Sequence, residues 1–112
     1  MSAVAPPPVN RRRGEVGAVI DGRPYTLCLT LGALAKLEDA FGLDDLGALA
    51  ERLGGGGLGS RDLMRVLRAG LRGGGHAVDD ETLAEMRFDG GMAGAARLCT
   101  ALIEAAFAAP GR

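Results

Sequence analysis

The dipeptide Asp21-Gly22 constrains the fold of this chain more than any other feature. A tight type I′ turn needs positive φ at both central residues, and Asp-Gly is among the pairs that adopt it most readily. Folding the chain about this turn pairs Ile20 with Arg23 and predicts an antiparallel hairpin. One face of the hairpin then carries five apolar side chains: Val16, Ala18, Ile20, Tyr25 and Leu27. Pro24 has no N–H to donate on the outer edge of the second strand, so this edge is closed to a further strand at that point.

A two-stranded hairpin is marginal in water, so helices must cover its apolar face. Thr30 can cap the first helix with its hydroxyl, and Gly42 lies where a left-handed residue ends it. Apolar spacing predicts the others: 43–53 capped by Asp44 or Asp45, one from Ser60 to Gly73, one begun by Glu81 and capped by Asp79 and Asp80, and one from Met92 to about Ala109. The predicted fold class is therefore α+β, with an N-terminal two-stranded antiparallel β-hairpin followed by four or five short helices packed on one face.

The length of the chain suits one domain with a modest core. Residues 1–13 are predicted to be a disordered lead-in, residues 14–109 a single α+β domain, and residues 110–112 the C-terminal end. No stretch has the apolar length that a bilayer requires, and the N-terminus lacks the layout of a signal peptide. We therefore expect no membrane contact and a cytoplasmic protein.

Two of the predicted helices are amphipathic enough to pose a choice between core and partner binding. The helix from Ser60 has one apolar face (Leu63, Val66, Leu67, Gly70 and Leu71) and one basic face (Arg61, Arg65, Arg68 and Arg72). The apolar stripe of the last helix is Met92, Ala95, Ala96, Cys99, Leu102, Ile103, Ala106 and Phe107. Packing in the core is the default for both apolar faces, and a groove for a partner helix is the alternative. For the arginines, the default is a solvated face, and the alternative is contact with a membrane or nucleic acid.

No set of residues typical of an enzyme is present. Cys28 and Cys99 lie far apart without metal-ligand spacing, and His76 is the only histidine. The glycine run 54–57 lacks the Lys-Ser/Thr of a phosphate-binding loop and follows a predicted helix instead of a strand. We therefore predict no enzymatic activity, no cofactor, and neither a catalytic nor a metal site.

The charge of the chain bears on whether it binds nucleic acid. The formal net charge of −1 argues against a body built to neutralise phosphate backbones. Arg11, Arg12 and Arg13 form a short basic arm ahead of the hairpin, without interleaved aromatic residues. A solvated gatekeeper beside a hydrophobic strand is the preferred interpretation of this arm. A small nucleic-acid-binding regulator that uses Arg11–Arg13 is the alternative, although direct nucleic-acid binding is not expected.

Several segments, taken in order, resemble the gene transfer agent family of phage-derived tail proteins. The N-terminal segments are Asn10-Arg11-Arg12-Arg13-Gly14-Glu15-Val16, Ile20-Asp21-Gly22-Arg23-Pro24-Tyr25-Thr26-Leu27, and Leu34-Ala35-Lys36-Leu37-Glu38 through Phe41-Gly42. Leu58-Gly59-Ser60-Arg61-Asp62-Leu63 and Ala69-Gly70-Leu71 are similar to the middle of that family. The resemblance lies in the ordered combination and covers nearly the whole chain.

This resemblance implies a tail assembly chaperone, which binds the long helical tape-measure protein and keeps it soluble until the tail tube forms. A structural component associated with the tail tube is the alternative implied by the same family. The expected partners are the tape-measure protein and other tail proteins, and self-association is left open. The apolar helix faces are the surfaces able to bind such a helix where the core does not use them, which gives seven candidate residues: Leu63, Val66, Leu67, Leu71, Leu102, Ile103 and Ala106.

Overall fold

A computed structural model describes residues 8–10, 13–54 and 58–107 of the chain. The elements are β1 (Glu15–Ile20), β2 (Arg23–Cys28), α1 (Leu31–Phe41), α2 (Leu46–Gly54), α3 (Ser60–Gly73), α4 (Asp80–Glu85) and α5 (Gly91–Phe107). This order of a hairpin followed by helices confirms the predicted α+β class. Most of the predicted lead-in, residues 55–57 of the glycine run and residues 108–112 lie outside the described residues.

The hairpin forms at the predicted turn and in the predicted register. Asp21 and Gly22 have φ values of 55° and 72°, as a type I′ turn requires. Ile20 pairs with Arg23 and Val19 with Pro24 in an antiparallel ladder. Ile20 and Leu27 are fully buried on the apolar face, while Val16, Ala18 and Tyr25 pack against the same core from partly exposed positions.

The outer edge of β2 is covered by the end of α3. A Cβ atom on Gly74 would overlap the carbonyl oxygen of Thr26, and one on Gly73 would overlap that of Cys28. Only glycine allows the helix to approach the strand so closely. Together with Pro24, this contact leaves no open stretch on β2 for another strand.

The outer edge of β1 is held at both of its ends. Near the turn, the Asp21 N–H donates to the Arg87 carbonyl (2.8 Å), and the Asp89 N–H donates to the Val19 carbonyl (3.1 Å). Residues 87–89 thus form a single antiparallel bridge beside Ile20. At the other end, the Glu15 N–H donates to the Asn10 carbonyl (3.2 Å).

The helix caps follow from short polar side chains at the predicted positions. The Thr30 hydroxyl accepts the Ala33 N–H at 3.1 Å, and Gly42 ends α1 at φ 68°. Asp45, one of the two caps predicted for α2, accepts the Ala48 N–H with its carboxylate (2.8 Å). The helix therefore begins at Leu46, and the predicted start at Leu43 is three residues too early. Asp79 caps α4 by accepting the Thr82 N–H at 2.7 Å.

One core lies between the hairpin face and the helices, and α3 and α5 supply much of it. The buried apolar residues of the described chain are Ile20, Leu27, Leu29, Leu34, Leu37, Leu49, Leu63, Val66, Leu67, Leu71, Leu83, Ala95, Cys99, Leu102 and Ile103. The apolar face predicted for α3 is confirmed in full. For α5 the prediction is wrong at Met92 and Ala96, which are exposed. Both residues lie at nearly the same helical angle as the buried Cys99 and Ile103, so the N-terminal end of the stripe extends past the core into solvent.

Candidate partner-binding surface

The seven residues predicted to bind a partner lie mostly inside the protein. Leu63, Val66, Leu67 and Leu71 of α3 and Leu102 and Ile103 of α5 are buried, and Ala106 is half-buried. The two helices meet closely at Gly70, where a Cβ atom would lie 2.9 Å from the Leu102 Cδ1. A partner reaches these side chains only if α3 and α5 separate. Binding through them stays a prediction.

The opposite side of α5 is open to solvent along the length of the helix. On that side lie Ala93, Arg97, Thr100 and Glu104. Met92 and Ala96 are exposed beside it, where the N-terminal end of the apolar stripe extends past the core. We name these six exposed side chains the α5 outer face. Met92 is 66% exposed, which is unusual for a large apolar residue. The Thr100 hydroxyl donates to the Ala96 carbonyl (3.2 Å) and is therefore partly satisfied within the helix.

Small side chains make the middle of the α5 outer face shallow. Ala93, Ala96 and Thr100 allow another helix to approach closely, while Arg97 and Glu104 supply one charge of each sign. Periodicity placed Ala95, Cys99, Leu102 and Ile103 correctly on the core side of this helix, but it also assigned the exposed Met92 and Ala96 to that side. Leu31, at the first turn of α1, is the other large apolar side chain that is prominently exposed in the described residues, at 77%.

An ion pair and a cation–π contact connect α1, α2 and α3 at the edge of the core. Arg52 of α2 forms an ion pair with Asp62 of α3 (2.9 Å), and its guanidinium lies 5.2 Å from the centre of the Phe41 ring of α1. The Asp62 carboxylate also accepts the Gly59 N–H (3.3 Å) at the start of α3. This arrangement joins three helices and explains why Asp62 and Arg52 are not available as free charges.

A comparison with protein families decides the relationship suggested by the sequence. The family model described as "Phage tail tube protein, GTA-gp10" matches residues 13–109. The chain belongs to this family. A search of curated proteins and a search of solved structures each gave no match.

Both thiols and the imidazole of this protein lie in environments that the structure explains. The family is a structural class and not a class of enzymes. Burial raises the pKa of Cys99 to about 12, so this thiol stays protonated. Partial burial and the charge of Glu15 raise the pKa of Cys28, whose Sγ donates to the Arg13 carbonyl (3.2 Å). His76 packs edge-on against Tyr25, with ring centres 4.9 Å apart.

Neither a metal-binding cluster nor a membrane-spanning helix occurs in the part of the chain that the structure describes. No group of three or more His, Cys, Asp and Glu residues within it could hold a metal ion. No helix within it is both long and apolar enough to cross a bilayer. Of the basic arm, Arg11 and Arg12 lie outside the described residues, and Arg13 lies 3.6 Å from the Glu15 carboxylate.

Proposed function

We propose that this tail-family protein is a tail assembly chaperone that binds helical segments of the tape-measure protein through the α5 outer face. The observation that carries the proposal is the exposure of this face, with Met92 66% exposed in a small domain whose other apolar stripes are mostly buried. An exposed apolar helix in a partner would be shielded by such a surface from aggregation. The match to a phage tail family supports tail proteins as the partners.

The state of the sheet edges supports recognition of a helix over recognition of a strand. A partner that adds a strand needs an open row of N–H and C=O groups. Here Pro24 and the end of α3 cover β2, and residues 87–89 hold the turn end of β1. The α5 outer face, by contrast, offers a helix surface about 18 Å long from Met92 to Glu104.

The expected affinity of a single contact is low, which suits a chaperone. Burying the exposed part of a Met side chain contributes about 1–2 kcal/mol, and the small neighbouring residues add close packing. One such contact is reversible, but a long helical partner offers many. Repeated weak binding along the partner would keep it soluble and still allow tube subunits to displace the chaperone.

Pull-down of tape-measure fragments at low and high salt tests this function. We expect retention at both salt concentrations, because apolar contacts are not screened. Ala96→Arg should abolish retention by placing a long charged side chain on the α5 outer face. Ala35→Arg is the matched control, since Ala35 is also an exposed helical alanine, on α1. Equal retention by both variants would refute binding through α5.

The family description favours a second candidate function, a structural component of the tail. Mass spectrometry of purified particles separates the two, since a structural subunit is present in stoichiometric amount and a chaperone is absent. Deletion of residues 1–13 should leave fragment retention unchanged. The nucleic-acid regulator would be supported by a different result. The protein would retain no fragment, and it would bind DNA tightly and in a salt-sensitive way until residues 1–13 are deleted.

A further inference from the structure

The exposed face of α3 carries a line of arginines that the proposed function does not use. Arg61, Arg65, Arg68 and Arg72 follow each other at intervals of four, three and four residues, directly opposite the buried face of the helix. We name these four residues the α3 arginine stripe, which is about 16 Å long. All four side chains are exposed.

This stripe is poorly compensated within the described chain. Only Arg68 has an ion pair, with Asp80 at 3.4 Å, and its Nε also donates to the Val78 carbonyl (3.3 Å). Like charges three or four residues apart on a helix repel each other and destabilise it. The stripe therefore costs folding stability, and an external anionic surface would offset this cost.

The complementary charges lie on the neighbouring helix of the same protein. Glu81 and Glu85 of α4 are exposed and make no ion pair in the described residues. They are four residues apart and lie on the side of α4 opposite the buried Leu83. The same four-residue interval separates Arg61 from Arg65 on α3, so two glutamates can face two arginines at matching spacing.

The ion pair between Arg68 and Asp80 places the stripe and α4 side by side on one surface. We propose that this surface binds a second copy of the chain as a two-fold symmetric dimer. In that arrangement the arginine stripe of each copy faces Glu81 and Glu85 of the other, so both contacts form at once. This inference does not depend on the chaperone function.

Charge placement favours a second copy over nucleic acid as the occupant. Asp79 and Asp80 lie at the start of α4, beside the middle of the stripe. A DNA duplex laid along the arginines would bring its phosphates against these carboxylates and those of Glu81 and Glu85. A second copy instead uses the carboxylates of α4 as its own contacts.

Sedimentation velocity with charge-reversal variants tests the dimer. Because exposed ion pairs are individually weak, the protein is studied at up to about 1 mM. We expect a dimer at about 0.05 M salt and at least tenfold weaker association at about 0.5 M salt, where the screening length is much shorter. Arg61→Glu/Arg65→Glu and Glu81→Arg/Glu85→Arg should each be monomeric at low salt.

An equal mixture of these two variants is the decisive sample. Each variant alone opposes like charges, whereas the mixed pair has opposite charges in both contacts, so a heterodimer should form. The matched control is Arg97→Glu on α5, which should still dimerise. Circular dichroism tests whether each variant is folded. If the Arg61→Glu/Arg65→Glu variant does not fold, the neutral variant Arg61→Gln/Arg65→Gln is used in its place.

Three results would overturn the proposal: wild-type protein that stays monomeric at low salt, a dimer unchanged by either reversal, or variants that do not associate when mixed. Association that grows beyond a dimer would also refute the two-fold arrangement. Monomeric protein that retards duplex DNA only while Arg61 and Arg65 are present would assign the stripe to nucleic acid.

Discussion

Replacing Gly73 by Ala tests the closest approach between helix and strand in this domain. Gly73 is the last residue of α3, and a Cβ atom there would overlap the Cys28 carbonyl oxygen and lie 3.4 Å from the Thr30 Cγ2. The main obstacle is backbone, so no change of rotamer can relieve it. The end of α3 must move away from β2, which also loosens the packing of Leu71, a fully buried residue.

Two opposing effects determine the size of the change. Ala is favoured over Gly within a helix by about 1 kcal/mol, whereas overpacking of a tight contact costs about 1–3 kcal/mol. Because the overlap is with backbone, we take the upper end of that cost. The free energy of unfolding should therefore fall by about 2 kcal/mol, which lowers the Tm of a domain of this size by about 10 °C.

Thermal and urea unfolding, followed by far-UV circular dichroism, measure this change. Gly32→Ala is the matched control, because Gly32 is also helical but its nearest neighbour to a new Cβ is the Thr30 Oγ1 at 3.9 Å. That variant should be stabilised by about 0.5–1 kcal/mol. If Gly73→Ala is stabilised to the same extent, Gly73 is not in close contact with the Cys28 carbonyl of β2.

Three further predictions concern the turn, a helix cap and the thiols. Gly22→Val should lower the free energy of unfolding by about 1–3 kcal/mol through backbone strain alone, since φ is 72° and the space around it is open; unchanged thermal stability would contradict this. The Thr82 backbone N–H donates to the Asp79 carboxylate and lowers the pKa of that group below its ordinary value of 3.8. The cap therefore stabilises the protein fully above this ordinary pKa, and the stabilisation is lost as the pH falls through the lowered pKa. The Asp79→Asn variant should therefore show a shallower loss of stability in acid, and an identical acid profile would count against the cap. A thiol reagent at pH 8 should modify Cys28 in the folded protein and Cys99 only after unfolding, as mass spectrometry of labelled peptides would show.

Local signals account for the parts of the fold that were predicted from the sequence. The register of the hairpin follows from Asp21-Gly22, and the start of α1 follows from the Thr30 hydroxyl, since both depend on residues only a few positions apart. The buried face of α3 was equally clear, because its apolar and arginine faces are fully segregated.

Long-range contacts account for what sequence reasoning could not provide. The hydrogen bond from the Arg87 N–H to the Asp21 carboxylate (2.8 Å) joins positions 66 residues apart, and nothing in the local pattern indicates it. Likewise, the apolar stripe of α5 continues past the end of the core, so only the packing of the helix reveals that Met92 and Ala96 remain exposed. The sequence pointed to α5 as a binding helix, but through Leu102, Ile103 and Ala106, which lie on the side that packs into the core.

The packing of the first strand against the last helix has a consequence for how the chain folds. A Cβ atom on Gly14 would lie 3.5 Å from the Ala105 carbonyl oxygen, and Phe88 borders Ile20 at the turn. The hairpin can form microseconds after its residues leave the ribosome, but α5 covers it only when a chain segment some ninety residues later has been made. In that interval α3 can already cover Leu27 of β2, but the part of the apolar face that α5 covers on β1 stays exposed, and closing so large a loop slows the final step. The nascent protein is thus itself prone to aggregation until the same helix that bears the candidate binding surface has docked.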